Sequence, residues 1–148
     1  MNNKEKNAMM LIHDTSKAFK EMMRKKTEAV GIPDRYRMIL LMLNHHDGST
    51  QLDICSWTKL TAPSISLTLQ KMEEEELIKR VVSEKDKRNM NIYITSKGKE
   101  MVDRIIVLIH ETEMQLFSGI AQEDIQKVEE VLRKMLDNSN LSGGGING

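Results

Sequence analysis

Between Thr50 and Lys99 the apolar pattern of the chain changes twice, from helical spacing to strict alternation and back again. Few folds accommodate that order in fifty residues. Ile65, Leu69 and Met72 recur at helical spacing behind Thr61, a predicted N-cap, and Pro63, which falls in the first turn. The other face of this helix carries Pro63, Ser64, Leu67, Gln70 and Lys71, with Ser66 at its border, so its N-terminal half is small and can approach another surface closely. A shorter helix precedes it. Thr50 and Asp53 stand at capping-box spacing, and Leu52, Ile54 and Cys55 are expected to supply its apolar contacts, with Cys55 at a small, buried position.

Two helices joined by three or four residues form a helix-turn-helix. In that motif the N-terminal end of the second helix enters the DNA major groove, where short polar side chains meet base edges and backbone N–H groups meet phosphates. Leu77 to Val82 then reads as a strand, Ser83 to Asn89 as a polar turn, and Met90 to Ile94 as an alternating strand. The tip of this hairpin holds Lys85, Lys87 and Arg88, a cationic wing suited to phosphates or the minor groove. The expected fold class is therefore mainly α with a small β-hairpin wing, a winged helix-turn-helix flanked by N- and C-terminal dimerisation helices.

Leu77-Ile78-Lys79-Arg80, the triplet Asp86-Lys87-Arg88 and Ile94-Thr95-Ser96-Lys97-Gly98 resemble the wing region of the MarR (multiple antibiotic resistance regulator) family. Pro33-Asp34-Arg35-Tyr36, leading into an apolar helix, resembles the segment before that family's helix-turn-helix, so the similarity covers about residues 8 to 137. The resemblance implies a homodimer on double-stranded DNA that binds a palindromic operator, commonly as a repressor, and is released by a small molecule or an oxidant. The motif and the wing point to DNA contacts at Thr61, Pro63, Ser64, Ser66, Leu67, Lys71, Lys85, Asp86, Lys87 and Arg88, and the resemblance implies that Arg88 reaches the groove or a phosphate with Asp86 holding it. Family members commonly carry arginine at the position of Leu67 and glycine at that of Glu76. A left-handed residue bearing a Cβ costs about 1–2 kcal/mol, so the helix either accepts that strain at Glu76 or ends differently. Glu73 to Glu76 would also sit unfavourably at a helix C-terminus, with Lys79 and Arg80 available to offset them.

The flanks read as support. Residues 8 to 29 carry Ala8, Leu11, Ala18 and Met22, and again Met9, Ile12, Phe19 and Met23, an apolar arc broader than one neighbouring helix needs. A helix from about Pro33 to Asn44 turns Tyr36, Ile39, Leu40 and Leu43 inward, and His45-His46-Asp47-Gly48 closes it. After the wing, Thr95 or Ser96 caps a helix of over about twenty residues that breaks near Ser118-Gly119, and a last helix, 122 to 137, aligns Ile125, Val128, Leu132 and Met135 on one seam. The whole of 1–148 reads as a single MarR-like domain: about 33–99 the winged helix-turn-helix, about 8–29 and 100–137 the dimerisation helices, and 138–148 a flexible tail.

The charge balance is neutral, with 22 Lys+Arg against 22 Asp+Glu, so the nucleic-acid reading rests on distribution. From Thr58 to Lys99 nine Lys/Arg face six Asp/Glu, four of which are the run Glu73 to Glu76. One cysteine excludes an internal disulfide, and the polar start resembles neither a signal peptide nor a membrane span, so a cytoplasmic protein without membrane attachment is expected. Catalytic patterns such as a phosphate-cradling glycine loop or a zincin helix are absent from the sequence, and neither enzyme activity nor a cofactor is expected. His45, His46 and Asp47, helped by His13 or His110, could suggest a metal, but adjacent helical histidines point about 100° apart, and no metal site is expected.

By analogy with the family, an effector pocket would involve His13, Phe19, Tyr36, Met38 and Ile109. Twelve methionines against five aromatic residues suit a small hydrophobic or aromatic effector, although the same side chains can simply pack together. The alternative function is a winged-helix scaffold that binds ligand or protein without specific DNA reading, for which Leu67, Glu76 and the neutral charge speak.

Overall fold

The computed structural model describes residues 1–140. After a 3-10 turn at Asn3–Glu5, the elements are α1 (Ala8–Ala29), α2 (Asp34–His45), β1 (Ser49–Thr50), α3 (Gln51–Thr58), α4 (Ala62–Glu74), β2 (Ile78–Val82), β3 (Met90–Ile94), α5 (Ser96–Leu116) and α6 (Gln122–Asn138). Helices dominate, and the strands form one antiparallel sheet in the order β1-β3-β2. No described helix is long and apolar enough to cross a membrane.

The chain divides into two compact units, one ending at Thr112 and the other beginning at Glu113. The first contains one apolar core, in which Tyr36, Ile39, Leu40 and Leu43 of α2 meet Ile54 of α3, the Ile65, Leu69 and Met72 stripe of α4, Leu77, Ile78, Ile92 and Ile94 of the hairpin, and Val102 and Ile105 of α5. Each full burial of such a side chain is worth about 1.5–3 kcal/mol, so this stripe fixes the roll of α4 about its axis and decides which face is left to solvent. In the second unit, α6 has no buried residue.

Local signals behave as the sequence predicts at the starts of α3, α4 and α5. Thr50 accepts from the Asp53 N–H while Asp53 accepts from the Thr50 N–H, the reciprocal capping box. Thr61 Oγ1 caps α4 through the Ser64 N–H, and Thr95 Oγ1 caps α5 through the Gly98 N–H. Gly98 is the close approach of the fold: a Cβ there would collide with the Leu77 carbonyl oxygen and come within 2.7 Å of Ile94 Cγ1.

Several expectations need correction. Leu52 is 67% exposed rather than part of the core, because the capping box turns it outward, and Cys55 is only half-buried against the core. The first wing strand begins at Ile78, since Leu77 completes the end of α4 instead. A two-residue strand, β1, pairs Ser49 with Ile92 and Thr50 with Asn91. On α1 only Met23 and Thr27 are buried, leaving Met9, Met10 and Leu11 exposed. α6 runs through Asn138, so the expected tail of 138–148 begins inside a helix, and its residues 141–148 lie outside the described residues.

Candidate nucleic-acid interface

The end of α4 resolves the question posed by Glu76. Its φ is +62°, the Leu77 N–H bonds the Met72 carbonyl at 2.9 Å, and the Glu76 N–H bonds the Glu73 carbonyl at 2.9 Å. This is the Schellman closure, with Leu77 packed into the same core as Met72. The helix thus accepts the left-handed strain in a residue that bears a Cβ.

The acidic C-terminus of α4 is tied to three other elements. Glu73 pairs with Arg80 of β2 at 2.8 Å, and the guanidinium holds its carboxyl below the ordinary glutamate range. Tyr36 of α2 donates to Glu75 Oε1 at 2.9 Å; burial, with this hydrogen bond, pushes the phenol up to about 12. Lys97 of α5 donates to the Glu75 carbonyl at 2.8 Å. Of the two cations expected to offset the acids, Arg80 pairs with Glu73, while Lys97 meets the helix end at the Glu75 main-chain carbonyl.

With its roll and its end fixed, α4 presents Thr61, Pro63, Ser66, Leu67 and Lys71 to solvent, with Ser64 half-buried. Leu67 is 56% exposed, a large apolar group on this face. Residues 61 to 70 contain no cation.

The wing tip is organised by Asp86. Its Oδ1 accepts from the Arg88 backbone N–H at 3.0 Å and from Arg88 Nε at 3.4 Å, and its Oδ2 accepts from Asn89 Nδ2 at 3.3 Å. The Ser83 and Asn89 N–H groups close the turn on the Asn89 and Asp86 carbonyls, respectively. Arg88 remains 92% exposed in its side chain, and Lys85 and Lys87 are exposed too. This is a pre-shaped loop with its cations outward.

Between the start of α4 and the wing runs an open groove of about 380 Å³ lined by Gln51, Leu52, Ala62, Arg88, Asn89 and Met90. Sequence reasoning found only Arg88 among these, because the lining joins three segments that no local spacing connects. The same holds for Arg35, whose Nη1 donates to Ser64 Oγ at 2.8 Å from α2.

The effector candidates are placed differently from one another. Tyr36 is in the core with its hydroxyl engaged by Glu75, Ile109 packs against that core, Phe19 and Met38 are half-buried on α1 and α2, and His13 is exposed. His46 lies against Trp57 with the rings tilted by 38° and their centroids 5.2 Å apart, and the neighbouring Asp47 accepts from the Ile94 N–H at 2.8 Å.

A helix-turn-helix whose second helix is braced by a sheet and followed by a cationic hairpin defines the winged-helix class. The family model described as MarR family matches residues 30–89. Wild-type apo MarR from E. coli has the same fold, with a TM-score of 0.83 at 15% identity over 90% of this chain and 99% of that one. A MepR variant from S. aureus bound to an oligodeoxyribonucleotide is 30% identical over 90% of this chain and 99% of that one, with a TM-score of 0.61. The chain belongs to the MarR family, and its fold is that of the family's transcriptional regulators.

Proposed function

We propose that the chain is a sequence-specific DNA-binding regulator that acts as a homodimer on a palindromic operator, as a repressor. The observation that carries this reading is the exposed N-terminal half of α4 beside a wing whose three cations point outward from an Asp86-ordered turn. Thr61, Pro63, Ser64, Ser66, Leu67 and Lys71 would lie in the major groove, with Lys85, Lys87 and Arg88 over the adjacent backbone and Asp86 holding Arg88 in place. The oligonucleotide bound to the MepR variant supports the same use of the fold.

Dimerisation is supported by surface that one chain leaves wet. α6 exposes Val128 (52%) and Leu136 (63%) beside Leu132, and α1 exposes Met9 and Leu11. Covering such faces is favourable by about 25 cal/mol per Å² of apolar area, and a second copy offers matching ones. Two winged units would then address half-sites about 34 Å apart, one turn of DNA. A small hydrophobic or aromatic effector that prefers another spacing of the units would release the operator by its differential affinity alone, with His13, Phe19, Met38 and Ile109 near its site and Tyr36 as the link to α4.

The test is selection from a random duplex library at near-physiological salt, followed by sequencing. An enriched inverted repeat with half-sites one turn apart is expected. Weak binding with no enriched sequence would instead favour the ligand- or protein-binding scaffold, the reading to which the exposed Leu67 and the zero net charge belong.

A further inference from the structure

Arg35 lies in the first turn of α2, yet its one side-chain hydrogen bond among the described residues goes to Ser64 on the exposed face of α4. Its surroundings set this contact apart. Among the described residues, Arg24, Arg37, Arg80, Arg88 and Arg133 each pair with a carboxylate, and Arg104 donates to the Val30 carbonyl. Arg35 has no acid within ion-pair distance among the described residues; its neighbour Asp34 pairs instead with Arg37 at 2.7 Å.

Ser64 is half engaged in the same way. Its N–H goes to Thr61 Oγ1 and its Oγ accepts from Arg35, but its hydroxyl hydrogen has no acceptor among the described residues. A hydroxyl that accepts from a guanidinium is polarised and presents itself outward as a donor. The remaining N–H groups of the guanidinium fork stay free for an oxygen that takes them in pairs. The exposed half of α4 has no cation of its own before Lys71.

We propose that Arg35 is a DNA-contacting residue: α2 delivers its guanidinium to the reading face of α4, where it and the Ser64 hydroxyl together meet an acceptor of the duplex. The acceptor chemistry is an electron-rich oxygen or nitrogen, either a phosphate oxygen or the N7/O6 edge of a purine. This inference rests on the DNA-binding reading above.

The experiment compares the wild-type chain, Arg35→Ala, Arg35→Lys and Ser64→Ala on the duplex that the wild type enriches, across a salt series. Arg35→Ala is expected to bind about tenfold more weakly and to lower the slope of log K against log salt by about one, and Arg35→Lys, which keeps the charge, to restore the slope. A lowered slope with unchanged base preference identifies the acceptor as phosphate. A shift in preference at the base pair that Ser64→Ala also affects identifies a base edge. Because Arg35 is exposed and makes one hydrogen bond, the variant should melt with the wild type, and the melting curve verifies it. Wild-type affinity and slope in Arg35→Ala would overturn this inference alone. A wild-type chain that enriches no sequence would overturn it together with the DNA-binding reading.

Discussion

Glu73 grips Arg80 with both of its carboxylate oxygens: Oε1 accepts from Nε at 3.0 Å and from Nη2 at 2.8 Å, and Oε2 accepts from the Arg80 backbone N–H at 3.0 Å. The pair joins the last turn of α4 to the first strand of the wing. Since Arg80 holds the Glu73 carboxyl below its ordinary range, its contribution is fully present above the unfolded value, near pH 4.3, and is lost as the pH falls through the folded one. Glu73→Gln should therefore lower stability at pH 7 by about 1 kcal/mol, a figure discounted for partial exposure, and flatten the acid limb of stability. Urea denaturation at pH 7 and pH 3.5 checks both; an acid limb as steep as the wild type's would refute the assignment.

The strain at Glu76 can be relieved in isolation. Glu76→Gly should raise stability by about 1 kcal/mol, whereas Glu76→Ala, which keeps a Cβ at φ +62°, should gain far less. Equal gains in the two variants would point to charge rather than backbone strain.

Gly98 makes the opposite case. Adding one methyl group at Gly98→Ala drives a carbon into the Leu77 carbonyl and should destabilise the winged unit by about 1–3 kcal/mol, read as a lower melting temperature.

For the wing, Arg88→Ala should weaken DNA binding and lower the salt slope by about one, while Asp86→Ala should weaken binding with less change in slope, because it removes the brace and leaves the cation. The readout is the slope from titrations at four or more salt concentrations. Unchanged affinity and slope in Arg88→Ala would remove that residue from the interface.

For the dimer, Leu132→Glu in the α6 seam should shift the chain toward monomer in sedimentation at micromolar concentration without unfolding it, since no residue of α6 is buried within the chain.

The sequence made the long-period features legible because their causes are local. The stripe of Ile65, Leu69 and Met72, the Thr50–Asp53 capping box and the alternation from Met90 to Ile94 each follow from spacing within one element. What escaped was set by contacts across the chain. β1 is two residues long, too short to show a period, and exists only because β3 offers an edge. Leu77 looked like strand because it is apolar and precedes one, but its N–H is used to close α4. Arg35 and Ser64 are 29 positions apart, and the groove between α4 and the wing draws on three segments, so neither could be found by spacing.

β1 leads directly into Gln51 of α3, while Asp47 receives the Ile94 N–H and the Asn91 side chain donates to the Gly48 carbonyl at 2.8 Å. The inner strand of the wing is therefore riveted to the very residues that start the helix-turn-helix, and the outer strand to the end of α4 through Arg80. Helix and hairpin are thereby joined into one jaw with two teeth. Under the proposed dimer, the quantity a signal would then adjust is the opening of the caliper, the distance from one jaw to the other.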